Sequence, residues 1–154
     1  MGFPKLKLML TAGIVSLMVP FAAQAQWWQH HPHYLHAMSD LRSAYWLIAH
    51  HDPNDPAQSV EEGRALRDIR YAYQALKDAS ILDEKDIDAQ PPPDFTFYDH
   101  RGRLHKAADL LRDARNDVHG EEDDPAALGL RHEAEHRIDK AIHSTEEAIH
   151  SWFF

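Results

Sequence analysis

Imidazole is the side chain through which this sequence could do chemistry. Thirteen histidines are spread along 154 residues, and His132, His136, His143 and His150 recur at spacings of four, seven and seven, with Asp139, Glu146 and Glu147 among them. At about 100° per residue these four fall on one side of a helix, away from an apolar stripe of Ala134, Ile138, Ala141, Ile142, Thr145 and Ile149. Neutral imidazoles one turn apart can share a divalent transition ion, and a nearby carboxylate can complete or orient its shell. His132 with His136, joined by Asp139 or His143, is the tightest such set. A second set is His36 with Asp40 and His105 with Asp109, each pair four residues apart near a helix start, able to hydrogen-bond internally or to ligate one ion. Zn, Cu and Ni are the ions that suit these donors. The plainer alternative is a solvated polar ridge with i, i+4 pairing between imidazoles and carboxylates. His50 and His119 close helices, where the carbonyl end of the dipole favours a protonated ring.

Two longer motifs pass through the same stretch. His132-Glu133-Ala134-Glu135-His136 matches the H-E-x-x-H pattern of zinc peptidases, but Glu135 adds a second charge and no third ligand follows. No glycine-rich phosphate loop, no cysteine and no G-x-S-x-G elbow occurs, so acyl-transfer chemistry has no nucleophile to start from. An amino-terminal copper hook would need histidine third in a chain starting at Gln26, where Trp28 stands.

The elements that would position these residues come in two copies. Moved on by 69 residues, Leu35, His36, Asp40, Leu41, His50 and Asp55-Pro56-Ala57 land on Leu104, His105, Asp109, Leu110, His119 and Asp124-Pro125-Ala126, and 12 identities occur over 35–79 without a gap. One unit used twice is the expectation. Leu35, Met38, Leu41, Tyr45 and Ile48 set a helix over 33–50, opened by Pro32. Ser59 with Glu62 forms a capping-box pair ahead of Leu66, Ile69, Tyr73 and Leu76, which carry a second helix to about residue 81. Leu104, Ala107, Leu111, Ala114 and Val118 define a third. Asp124 as N-cap with Pro125 in the first helical position opens a fourth. Between the copies, residues 82–101 contain Pro91, Pro92 and Pro93 and read as an extended linker with Phe95, Phe97 and Tyr98 packing onto the helices. The fold class expected is all-α: a four-helix bundle of two duplicated hairpins (33–81 and 102–151) joined by a Pro-rich linker, either way up.

Residues 1–25 have the order of a cleaved export signal: basic Lys5 and Lys7, an apolar run from Leu8 to Val19, Pro20, and Ala23-Gln24-Ala25. The apolar run is too short to span hydrocarbon, so no stable membrane insertion is expected after cleavage. Residues 26–154 then form one periplasmic or secreted domain, without cysteine and held by packing alone. All 25 acids and 14 of the 16 basic residues lie in it, a net charge of −11 with neutral histidine. Such a charge repels nucleic acid and favours cations.

With His33-Tyr34-Leu35-His36-Ala37 and Arg101-Gly102-Arg103-Leu104-His105-Lys106-Ala107, the chain resembles small exported all-helical bacterial proteins of unassigned function, a resemblance that supplies no catalytic residue. Its layout and Glu133-x-x-His136 are also similar to ferritin-like proteins built from duplicated hairpins, but Arg64 and Arg67 stand where the matching glutamate and histidine of the second helix would be. A cytochrome b562-type haem bundle would have Met38 as its inward axial ligand. The function expected is a non-enzymatic exported bundle that binds a divalent transition metal through its ridge. The alternative is an interaction module that grips an envelope protein, using the aromatics Trp27, Trp28, Trp152, Phe153 and Phe154. A metal-dependent enzyme ranks third.

Overall fold

In the computed structural model of the chain, residues 32–50, 57–83, 86–96, 99–119 and 125–151 are described. They form four helices, α1 (Pro32–Ala49), α2 (Val60–Leu82), α3 (His100–His119) and α4 (Leu128–Ser151), with one 3₁₀ turn, Ile87–Ala89, between α2 and α3. No strand occurs among the described residues. The expected export signal over 1–25, the chain-end aromatics, Phe97 and Tyr98 lie outside them.

Local chemistry explains the helix starts. At α2 the Glu62 amide donates to Ser59 Oγ (3.0 Å) and the Ser59 amide donates to Glu62 Oε2 (2.7 Å), the reciprocal pair read from the sequence. The fourth helix begins later than expected. Residues 125–127 form a turn, and the helical ladder begins where the Arg131 amide donates to the Ala127 carbonyl at 3.0 Å. Burial of Ala127 sets this start, overriding the preference of Pro125 for a first helical position.

Side-chain contacts fix the topology. Arg103, near the start of α3, donates to the carbonyls of Leu47 (2.7 Å) and Ile48 (3.1 Å) at the end of α1, and His33 at the start of α1 lies 3.7 Å from Asp117 at the end of α3. Helices α1 and α3 are therefore antiparallel, and the second hairpin lies inverted against the first. Helix α2 packs along α4 and α1 along α3, so every neighbouring pair is antiparallel and the parallel pairs sit on the diagonals. The bounds of α1 and α2, moved on by 69 residues, fall within one residue of those of α3 and α4. Asp68 and Arg137, also 69 apart, meet at 3.1 Å across the α2–α4 seam.

The core is lined with small residues where α2 meets α4. Ala65, Ala72 and Ala79 are buried at heptad spacing on α2, as are Ala134, Ala141 and Ala148 on α4. Methyl-sized side chains repeated every seven residues keep one seam facing the partner and let two backbones approach closely. Larger side chains, among them Leu41, Ile48, Leu104 and Leu111, fill the space beside α1 and α3.

Three charged groups are buried as well, Asp68 at the α2–α4 seam among them. Glu62 is 1% exposed and Arg103 2%, with Arg103 Nη2 3.7 Å from Glu62 Oε1. One guanidinium thus closes the last turn of α1 and neutralises the capping carboxylate of α2 while riding on α3. This clasp ties three helices at one end of the bundle.

Candidate functional site

The histidines expected to carry function stay apart. His132, His136, His143 and His150 are exposed along α4, and among the described residues no three His, Asp or Glu side chains come together as a metal-holding group. All of the acids between them but Glu147 are engaged by arginines. Glu133 Oε1 accepts from Arg137 Nε at 2.7 Å, Asp139 Oδ1 from Arg115 Nε at 2.9 Å, and Glu146 Oε1 from Arg112 Nη2 at 2.6 Å. Asp139 is therefore not free to complete a shell begun by His132 and His136. His132 Nε2 lies 3.4 Å from the Arg131 guanidinium, and His143 Nε2 lies 3.3 Å from Glu147. The expected His36–Asp40 and His105–Asp109 pairs do not form. Asp109 takes Arg112 at 2.7 Å instead, because a guanidinium one turn on makes a charge-assisted bond that a neutral imidazole cannot match. Asp40 is half-buried between α1 and α3, and burial, then the carboxylates of Asp117 and Asp113, push its carboxyl up to about 6 against the opposing pull of Lys106. The H-E-x-x-H and E-x-x-H motifs put His132, Glu133 and His136 on the outer face of α4, away from the alanine seam where a buried metal centre would need them.

The histidines at helix ends meet backbone. His50 Nδ1 lies 3.0 Å from the Trp46 carbonyl and His150 Nδ1 2.7 Å from the Glu146 carbonyl, so each ring donates into the last turn of its helix. His119 Nδ1 instead lies 3.5 Å from Glu135, which Arg115 and Arg131 also approach.

A concave site lies on the other hairpin. Helices α1 and α2 pack together less extensively than the other neighbouring pairs, and an open groove of about 630 Å³ runs between them. Leu41, Arg42, Tyr45 and Trp46 line it from α1; Ile69, Arg70, Tyr73 and Gln74 line it from α2 with the same spacing. This i, i+1, i+4, i+5 pattern is the flank of each apolar stripe, where a helix turns from core to water.

The connector closes one side. Asp86 accepts the Asp88 amide at 3.0 Å to start the 3₁₀ turn, Gln90 Nε2 reaches the Tyr73 hydroxyl at 3.5 Å, and the Asp94 amide donates to Ser43 Oγ at 2.8 Å. Asp94 Oδ1 in turn accepts from the Thr96 amide (2.9 Å) and hydroxyl (2.6 Å), and these bonds hold its carboxyl below the usual range. Those anchors put Phe95 over Trp46 with ring centroids 5.3 Å apart, and Trp46 stacks on His50 at 4.5 Å. Linker aromatics packing onto the helices were expected, and Phe95 does so.

The groove itself was missed from the sequence. Tyr45, Ile69 and Tyr73 count there only as stripe residues, and Arg42, Trp46 and Arg70 carry no motif. One signal existed: 69 residues on, Trp46 becomes Arg115 and Arg70 becomes Asp139. On the α3–α4 hairpin those two residues form an ion pair, so the matching face satisfies itself. Groove dimensions and lining fit those of small-molecule sites, which are concave, mostly apolar and carry a few polar groups. No family model matches the chain, and comparison with curated proteins and with solved structures returns no match.

Proposed function

We propose that this chain is an exported, non-catalytic binding bundle whose binding surface is the groove between α1 and α2. The observation that carries the reading is an aromatic, open cavity of about 630 Å³ on one hairpin, where the other hairpin has a closed ion pair. The order of basic, apolar and small residues over 1–25 supports export. Rings from two helices and a connector anchored on Ser43 give a largely preformed apolar wall, which lowers the ordering cost of binding. The neutral probe N-phenyl-1-naphthylamine tests it, read by amide shifts of the full chain. Saturable shifts confined to 41–50, 69–74 and 95, weakened several-fold in Phe95→Ala, are the expected result. Shifts scattered over α3 and α4, or none, would overturn it.

A second reading keeps metal capture. His132 and His136 are exposed one turn apart, which suits weak two-imidazole ligation of Zn²⁺, Cu²⁺ or Ni²⁺. Calorimetric titration with each ion should give binding that a His132→Ala/His136→Ala variant loses. Identical heats from both proteins would end this reading.

A further inference from the structure

We propose that the groove takes a small aromatic carboxylate, an inference that rests on the binding reading above and specifies its ligand. Charge sets the first constraint. The chain carries a net charge of −9, yet its groove is lined by Arg42 and Arg70, one from each helix, and by no acid. Among the described residues neither arginine has an ion-pair or hydrogen-bond partner, whereas every other described arginine is engaged by another group. In a protein with acids in excess, two guanidinium groups left without carboxylates beside one cavity form a local cationic site on an acidic surface.

Shape sets the second constraint. Tyr45, Trp46, Tyr73 and Phe95 supply flat apolar walls, and the Trp46–Phe95 and Trp46–His50 contacts show that rings stack there. A planar body between such walls gains stacking as well as apolar burial. Its anionic head then meets the planar fork of an arginine, whose paired N–H donors match the two oxygens of a carboxylate.

An arginine fork fits carboxylate and phosphate alike, and the groove's place in the fold favours carboxylate. Phosphate sites draw on free backbone N–H groups at helix starts or in glycine-rich loops. The helical part of this groove lies at 41–46 and 69–74, well inside α1 and α2, where backbone amides are committed to the helices. The charged donors it offers are the two guanidinium groups, beside the hydroxyls of Tyr45 and Tyr73 and the indole N–H of Trp46. The connector seated on Ser43 and Tyr73 bounds the cavity, which favours a compact ligand over a peptide helix.

The test uses the full chain and two probes of the same shape, 2-naphthoate and neutral 2-naphthalenemethanol, titrated by calorimetry with amide shifts as a map. The expected result is naphthoate binding about tenfold tighter than the alcohol, the size of one charge-assisted hydrogen bond. That preference should vanish in Arg42→Gln/Arg70→Gln. Both substituted residues are exposed, so the fold is retained, and an unchanged circular dichroism spectrum verifies it. Equal binding of acid and alcohol by the parent protein, or a preference that survives the double substitution, would overturn the carboxylate inference while leaving the groove reading intact. Failure of both probes to shift groove residues would overturn both.

Discussion

Arg103 does at one residue what three separate caps would otherwise do. Replacing it with methionine keeps the apolar stem but leaves the Leu47 and Ile48 carbonyls without their donor and the Glu62 carboxylate buried without its cation. Removing one partner of a buried ion pair costs about 3 kcal/mol or more. Urea denaturation should show that loss for Arg103→Met, and a double-mutant cycle with Glu62→Gln should recover part of it. Additive losses would show that the two side chains do not act together. Asp40 works in the opposite direction. Its folded-state carboxyl titrates at about 6, above the ordinary range, so between about pH 4 and pH 6 the folded chain holds more protons than the unfolded one. Stability therefore falls as pH rises through that window and levels off above it. Asp40→Asn should raise stability at pH 7.5 by about 1 kcal/mol, the effect of the raised carboxyl being reduced by its partial exposure to water. The gain should shrink toward pH 4; thermal melts at both pH values check it, and a pH-independent gain would rule out the carboxylate as the cause.

At the scale of helices, the heptad alanines make the sharpest demand. Ala141 is fully buried in the line that faces α2. A leucine there forces the backbones apart or the side chain off rotamer, at a cost of roughly 1–3 kcal/mol, whereas Gly129→Ala meets no atom within 4 Å and should stabilise α4 by about 0.5–1 kcal/mol. Chemical denaturation of the two variants should move in opposite directions. These elements were largely legible in the sequence, because apolar residues at spacings of three and four and the Ser59–Glu62 box are local signals. The beginning of α4 was not, since burial of Ala127 is a tertiary fact. Arg103 was half legible: it continues the stripe of Ala107, Leu110 and Ala114, and Tyr34, one repeat earlier, is buried too. The groove depends on Phe95 reaching Trp46 across about fifty residues of chain, and no local pattern reports that. Spacing placed the histidines on the outer face of α4 correctly but could not show that arginines from α3 and α4 would claim the acids beside them.

At the scale of the molecule, inversion of the second hairpin makes the chain after α2 travel the whole length of the bundle before α3 begins. The interior is not that of a ferritin-like protein, since alanine fills the α2–α4 seam where inward ligands would sit. The same return path lays the connector across the α1–α2 face and turns a hairpin flank into a cavity. The α3–α4 flank has no such cover among the described residues, and there Arg115 closes onto Asp139.

That return path also governs how many chains make one bundle. Residues 83–99 must bridge a distance close to the length of a helix of about 20 residues, about 30 Å. Deleting 87–93 would leave a tether barely that long at full stretch, with none to spare for rounding the ends. Each α3–α4 half would then find its seat on a neighbouring polypeptide, giving a domain-swapped species of twice the parent's mass in light scattering, with unchanged helix content by circular dichroism.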